Sequence, residues 1–513
     1  MFSPPFLYAV AGLVAFRVLR YFRALRAHGY VEGYRPLLDP HSLPGNAIPP
    51  TWWHMGFMWP WYQRKHSHFN HTHDLTTLIP LVWGNPAYFA ASVGIVRQVW
   101  GNEAKTGLVK GVDFTTEGVW GSSIASANGE NWKRHRRVVG PSFTQQMFSR
   151  VVDESGTLYG KMKSEFIGKD LVLNNLHALL LRFTFVMICR CGFGMPVDWK
   201  QSSGHDEVAI FDRALSVAST TLIHRLILPN WLWRLPIQSL RDINDSWDTV
   251  LTLVKSIAAS RQAEYSTQKE LGNDSVDDIF TKLVSSTDEG AKYSLNPAEV
   301  TGNMMSLLFA GHETTSSALL SVLVLLGLHP DEQQMAYEEI MKEIPVAENM
   351  NIHDVSALKY VLCCMHEAHR LIPATINLPR DVPDEIVLHS SMPVERDIVV
   401  QKGARIIVDI MAVCHNPTDF PDPEAFKPSR WEDVSDHDII MFGAGPRACV
   451  GRRFAQVEAV CLLAHFLRDW RVETVLKEGE TRAVALERVM AGASMYGTAF
   501  SLGEVPVRIV ART

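Results

Sequence analysis

The chain has 513 residues, and 49 lysines and arginines against 55 aspartates and glutamates leave a net charge of −6. Hydrophobic residues make up 47% and charged ones 20%, with 33 glycines and 27 prolines, which excludes a disordered, collagen-like or low-complexity chain. The acidic balance speaks against a general nucleic-acid binder. The seven cysteines (Cys189, Cys191, Cys363, Cys364, Cys414, Cys449 and Cys461) are odd in number and contain no C-x-x-C pair, so a reducing compartment is expected rather than a disulfide framework.

In chain order, Phe6 to Phe16 is apolar throughout, and Arg17, Arg20, Arg23 and Arg26 follow at three-residue intervals. No lysine or arginine precedes the run, whereas a secretory signal peptide carries its positive charge first. Charge placed after the run keeps the remaining chain on the cytosolic side. Residues 1–16 as a helix reach about 24 Å against roughly 30 Å of hydrocarbon. Extension to Phe22 closes the gap if Arg17 and Arg20 stretch to the headgroups. A single-pass anchor is the first reading, an interfacial helix with a basic stripe the second, and a helix of the globular body the third. Residues 1–26 are thus expected as a membrane anchor with its basic flank. Residues 27–50, which carry Pro36, Pro40, Pro44, Pro49 and Pro50, are expected as a linker.

Leu75 to Leu81 is predicted as a strand, paired with Ala87 to Ser92 across the turn Gly84-Asn85-Pro86. Helical patterns dominate residues 93–268, and 269–294 turns polar, as a loop with a short helix. Asn296-Pro297 opens a long helix to Leu328, with Asn as N-cap, Pro in the first position and Glu299 in the first turn. Ser306 to Leu328 is long enough to span a membrane. His312, Glu313, Thr314, Thr315, Ser316 and Ser317 fill its first half, however, and no basic flank adjoins it, so a helix through the centre of a soluble domain is expected. Pro330 begins the next helix, and another covers roughly 356–371. Strand-like runs follow at Ile386 to Leu388 and Arg405 to Val408. From Arg471 onward the chain reads as strands and turns. The whole is mainly α with small β-sheets.

The segment carrying most chemistry is Phe442-Gly-Ala-Gly-Pro-Arg-Ala-Cys449-Val-Gly451. A thiolate that ligates a metal needs an accessible sulfur with donors around it. Gly443 and Gly445 allow a sharp turn beneath a flat cofactor. Gly451 lets the following helix begin close to it, Phe442 can pack beside the sulfur, and Arg447 can pair with an anionic group. The bland alternative is a glycine-rich turn around a buried cysteine.

This segment resembles the cysteine loop of the cytochrome P-450 family of haem-thiolate monooxygenases, F-x-x-G-x-R-x-C-x-G, with Met441 where the family usually has proline. Other motifs follow the family's order. Glu367-Ala-His-Arg370 resembles E-x-x-R, and residues three apart on a helix can pair. Phe426-Lys-Pro-Ser-Arg430-Trp431 resembles F-x-P-x-R-[FW]. The resemblance implies that Glu367, Arg370 and Arg430 form a buried triad supporting the cysteine loop. Ala310-Gly-His-Glu313-Thr314-Thr315 resembles [AG]-G-x-[DE]-T-[TS]. It implies a dioxygen pocket on a long central helix crossing the haem, with Glu313 and Thr314 as the proton-delivery pair. Glycine inside a helix costs about 1 kcal/mol, which fits a site where something approaches the backbone, and a threonine hydroxyl can bond a carbonyl one turn back. His312 is expected as a satisfied helix histidine. Trp132-Lys-Arg-His-Arg136 resembles W-x-x-x-R.

The resemblance makes Cys449 the axial ligand of haem b and Trp132, Arg136, Arg380 and Arg447 the partners of its propionates. Trp132 and Cys449 lie more than 300 residues apart yet are both expected at one haem, so 51–513 is expected as a single catalytic domain. The C-terminal pattern Gly451 to Cys461 with Asp469-Trp-Arg-Val-Glu473 is similar to fungal microsomal members, most like those of basidiomycetes.

The implied function is a monooxygenase that uses dioxygen and NADPH through a partner NADPH–cytochrome reductase on the endoplasmic reticulum membrane. Its substrate would be a small apolar molecule, expected in fungal secondary metabolism. Lys133, Arg134 and Arg453 are the expected docking residues. A haem-thiolate isomerase or dehydratase, or a haem sensor, stays open, although Glu313-Thr314 is the pair such proteins do without. Pocket positions are expected at 113–125, 305–309, after Pro373 (Thr375, Ile376, Leu378) and at 495–500. His66, His68, His71 and His73 form a surface cluster whose zinc binding is the lesser reading. The sequons at Asn70, Asn244 and Asn273 are expected to stay unmodified in the cytosol.

Overall fold

Asn296 caps the long central helix, Pro297–Leu328, as its sequence predicts: its side chain accepts from the Glu299 amide at 2.9 Å, and Glu299 accepts from the Asn296 amide at 2.9 Å. The computed structural model describes the chain except for residues 1–3, 66–68, 70–71, 102–106, 112–116, 201–206, 229–230, 272–277, 288–292, 346–349, 436–437 and 513. His66, His68, His71, Asn70, Asn273 and positions 113–116 of the expected pocket loop lie outside the described residues. Both apolar helices, Pro5–Ala27 and Pro297–Leu328, are long and apolar enough to cross a membrane. They differ in burial: none of the first helix's apolar window is buried, against 83% of the second's, so the second is a core helix.

Contacts divide the chain into two compact units. The first joins Met1–Phe114, Thr375–Ala425 and Gly443–Ala448. Its six-stranded sheet runs in the order Gly33–Tyr34, Leu75–Leu78, Ala87–Ala90, Arg405–Asp409, Asn377–Asp381 and Val109–Lys110. Leu75–Leu78 and Ala87–Ala90 pair antiparallel as predicted, while Ala87–Ala90 runs parallel to Arg405–Asp409. Trp59, Leu78, Phe89 and Ile407 form its core, with Tyr34 and Met55 against it. The proline-rich stretch contributes the edge strand Gly33–Tyr34 and the short helix Leu43–Ala47. A separate hairpin pairs Ile386–Ser390 with Arg396–Val400, alternating buried and exposed residues along its first strand. The basic end of the N-terminal helix, Pro4–Ala27, lies on this unit: Arg20 donates to the Gly84 carbonyl at 2.8 Å, and Arg17 sits 5.7 Å from the Trp83 ring.

The second unit joins Thr115–Ala374, Phe426–Phe442 and Cys449–Thr513 and is mainly helical. The central helix packs against Leu176–Met187, Gln238–Glu270 and Lys359–Leu371. The helix after the cysteine, Arg452–Asp469, packs on Gln145–Lys163. Trp470–Thr474, Val507–Ala511 and Asp170–Leu173 form a three-stranded antiparallel sheet, and Ser494–Tyr496 pairs with Ala499–Ser501 as a hairpin. One expectation is corrected here. The C-terminal stretch holds a helix, Arg482–Ala491, capped by Thr481, besides its strands. Its apolar side is narrow, with Ala485, Val489 and Met490 buried, so its periodicity is faint beside the neighbouring strands.

Glu458 lies fully buried in the Arg452–Asp469 helix, and neither carboxylate oxygen has a hydrogen-bond partner. Desolvation raises its pKa well above the usual range, so the folded protein keeps its proton. A raised folded pKa gives stability that is complete below the unfolded value and lost as pH rises toward the folded one. The expected result is that Glu458→Gln gains on the parent as pH rises from 5 to 8, by up to about 1.4 kcal/mol per pH unit. Parallel urea melts at several pH values check this, and a constant gap would place the charge elsewhere.

Candidate active site

Cys449 is the one exposed cysteine; the other six are buried. Its amide donates to the Phe442 carbonyl at 2.8 Å, closing the loop on itself. Desolvation by crowding atoms raises the thiol pKa, opposed by the Gly451 amide and by the guanidiniums of Arg452 and Arg136. Phe442 is gripped from two directions, with the His369 ring edge-on at 5.2 Å and the Arg452 guanidinium 5.7 Å from its ring centre. Residues 443–448 belong to the sheet unit, where Gly445 is irreplaceable. Its φ is +68°, and an added Cβ would collide with the Trp100 carbonyl. Arg447 is half-buried in the turn Gly445–Arg447. Arg380 is buried on Asn377–Asp381 and donates to the Pro379 carbonyl at 2.9 Å.

Trp132 and Arg136 share one face of the helix Gly129–Val139, and both are half-buried. Arg136 interacts electrostatically with Cys449 and Arg452. Neighbouring positions are spent on the central helix: His135 Nδ1 bonds Asn303 at 2.8 Å, and Arg134 forms a two-pronged ion pair with Glu299. Arg134, expected as a docking residue, therefore also holds the central helix cap. Lys133 pairs with Glu130 in solvent, and Arg453 donates to Ser356 at 2.9 Å.

From Glu299 to Leu326 every residue of the central helix is buried except Ala310, Gly311 and Thr314, which lie on one face. The Thr314 hydroxyl donates to the Ala310 carbonyl one turn back at 2.8 Å, as the sequence predicts. What approaches Gly311 within the chain is Ile188, whose Cγ1 would lie 2.9 Å from an added Cβ. His312 is buried, with Nδ1 on the Leu308 carbonyl at 2.8 Å.

Glu313 is not hydrogen-bonded to Thr314. Its carboxylate accepts from the Thr498 amide at 2.7 Å and from the Thr498 hydroxyl, in the turn of the Ser494–Ser501 hairpin. Gly497 makes room for it, since a Cβ there would come within 2.5 Å of the Glu313 carboxylate. His177 packs edge-on to Tyr496 of the same hairpin at 5.5 Å. Desolvation lowers its pKa, and the Glu313 charge works against that shift.

The three triad residues are brought together. Arg370 donates to Glu367 through Nε and a terminal nitrogen, both at 2.9 Å, and Arg430 Nε donates at 3.0 Å. The Trp431 indole at 2.9 Å and the Lys427 amide at 3.0 Å complete five bonds to one fully buried carboxylate. Burial alone would raise the Glu367 pKa, but Arg370, the Lys427 amide and Arg430 outweigh it and hold the carboxyl below the ordinary range.

Sequence reasoning missed three groups. Trp431 was visible in its motif, but its bond to Glu367 was not. Thr498 lies 185 residues from Glu313, and nothing local marks it. The third group is aromatic: Trp120, Trp247 and Phe309 are mutually stacked, with ring centres 5.1–6.0 Å apart. The Trp120 indole is fixed by Ser306 at 3.1 Å. Of the histidine cluster, His73 is buried and bonded to Glu32 at 2.8 Å and Thr72 at 2.7 Å. No metal-binding group of histidine, cysteine and carboxylate side chains occurs among the described residues.

An accessible thiol, donors behind it, cationic neighbours and an accessible three-residue face on a buried helix are the chemistry that a haem iron requires. A family model described as Cytochrome P450 matches residues 48–490. Cytochrome P450 monooxygenase 124 of Postia placenta is 27% identical over 427 residues, covering 80% of each chain. Cytochrome P450 3A16 of Mus musculus is 26% identical over 406 residues, covering 75% of this chain and 76% of its own. A cytochrome P450 monooxygenase of Arthrobotrys oligospora is 24% identical over 472 residues, covering 77% of each. Because the family match runs unbroken through every motif described above, the chain belongs to the cytochrome P450 family and is a haem-iron monooxygenase, an oxidoreductase.

Proposed function

We propose that the enzyme takes electrons from NADPH through a partner reductase and hydroxylates or epoxidises a small, largely apolar molecule in fungal secondary metabolism. The observation that carries this reading is the accessible thiol of Cys449, within a loop otherwise tied down by its own hydrogen bonds. Cys449 would ligate the haem iron, Trp132, Arg136, Arg380 and Arg447 would hold the propionates, and Phe442, Gly443 and Gly451 would lie beside the cofactor. When bound, the haem would supply activation of dioxygen, with the Cys449 thiolate as its protein ligand. Residues 51–513 would act as one catalytic domain, anchored to the endoplasmic reticulum membrane by the N-terminal helix and facing the cytosol. Lys133, Arg134 and Arg453 would receive the reductase. Lys133 and Arg453 are the cleaner sites to reverse, because Arg134 also secures the central helix.

Stacked Trp120, Trp247 and Phe309, the last next to Ala310, support an apolar substrate wall. Thr314 and Glu313 would hold and pass protons, with Thr498 seating the carboxylate. The haem-loaded enzyme should give a thiolate-type carbon monoxide difference spectrum and consume NADPH and dioxygen when a microsomal reductase is added. A thiolate spectrum without such consumption would favour an isomerase or a sensor.

Without added substrate, the same assay reads proton delivery from the ratio of peroxide formed to NADPH consumed. Thr314→Ala and Thr498→Val are each expected to raise that ratio several-fold, while Thr498→Ser stays near the parent. Parent-like ratios in both variants would reduce Thr314 and Thr498 to packing residues.

A further inference from the structure

Three arginines share one groove in the sheet unit. Arg23 and Arg26, one turn apart near the end of the N-terminal helix, line it with Val31 on one side. Arg396, Ile398 and Val399 of the Arg396–Val400 strand line the other, around a volume of about 610 Å³. All three arginines are exposed, and none is ion-paired among the described residues. The one acid in the groove, Asp397, is engaged by His389 Nδ1 at 3.0 Å. Three guanidiniums in one concave space repel one another within a Debye length, a cost that an anion would relieve. Guanidiniums match a phosphate's oxygens in paired hydrogen bonds. The floor is apolar, with Val31 and Ile398 buried, and the rim carries exposed Val399.

The groove's position narrows the anion's source. The helix that carries Arg23 and Arg26 exposes Leu13, Phe16, Leu19 and Phe22 immediately before them. With those residues in hydrocarbon, the groove lies at headgroup depth on the leaflet where anionic lipids concentrate. We propose that this groove seats the phosphate-bearing headgroup of an anionic phospholipid. Arg396, more than 360 residues from the helix in sequence, would thereby join the anchor in docking the enzyme to the membrane. The inference rests on the reading of the N-terminal helix as a membrane anchor.

Full-length protein is titrated with vesicles of phosphatidylcholine alone and of phosphatidylcholine with phosphatidylserine. The parent is expected to bind the anionic vesicles at least about 5-fold more tightly at low salt. Arg396→Gln should lose about 5-fold on anionic vesicles, the effect of one arginine near the surface, and nothing on neutral ones. Arg482→Gln, an exposed arginine of the helical unit, controls for net charge. Equal losses in the two variants, or none in Arg396→Gln, overturn the groove. Displacement from anionic vesicles by inorganic phosphate beyond that by chloride at equal ionic strength would make it a free-phosphate site and overturn the lipid assignment. Binding to anionic vesicles alone, still lost in Arg396→Gln, keeps the groove and overturns the anchor. Binding to neither vesicle overturns both.

Discussion

Cys449→Ala is expected to abolish the thiolate-type carbon monoxide spectrum and all NADPH-driven turnover, while the protein still folds. No other cysteine is placed to substitute. Cys363 and Cys364 are buried, and desolvation pushes the first up to about 12 and the second well above its ordinary value. Cys191 and Cys461 are likewise buried and raised by desolvation. Only Cys449 combines exposure with an amide donor and two guanidiniums that favour its thiolate. The side chain makes no packing contribution that alanine would forfeit on a large scale, so the melting of the haem-free protein should move little. A thiolate spectrum surviving in the alanine variant would mean that another cysteine ligates the iron.

Arg370→Ala is expected to cost about 3–5 kcal/mol, because it strips a buried carboxylate of its main counter-charge and leaves the other partner in a dry interior. Glu367 would keep Arg430, Trp431 and the Lys427 amide, but it would lose two of its five hydrogen bonds and the only fully buried cation. Arg370→Lys should rescue little, since an ammonium cannot reproduce the bidentate geometry. The yield of soluble haem-loaded protein and its thermal midpoint measure both. A midpoint within a degree or two of the parent in Arg370→Ala would show that the triad is dispensable for the fold.

What could be read from the sequence was whatever is encoded locally. The cap at Asn296-Pro297-Glu299, the pairing of Glu367 with Arg370 one turn on, and the Thr314 hydroxyl on Ala310 all rest on spacings of three or four residues, and all appear in the structure. Features that depend on chain segments meeting from afar were not legible. Glu313-Thr314 reads as a contiguous pair, yet helical geometry turns adjacent side chains about 100° apart, so Glu313 reaches Thr498 instead. Arg134 reads as one charge in a basic run, although a buried partner 165 residues away claims it. Gly311 correctly signalled a close approach, but the residue that approaches from within the chain, Ile188, carries no mark in the sequence.

The Trp120–Trp247–Phe309 cluster also has an optical consequence. Two indoles with ring centres 6.0 Å apart and planes inclined by 22° are close enough for their excited states to mix. The far-ultraviolet circular dichroism of the enzyme is therefore expected to carry a paired band from these two rings that is lost in Trp120→Phe. Trp120 sits on the short helix Glu117–Trp120, and Trp247 on the long helix Gln238–Glu270. The intensity of that band is therefore expected to track how these two elements are placed about Phe309, and a haem-free sample is enough to record it.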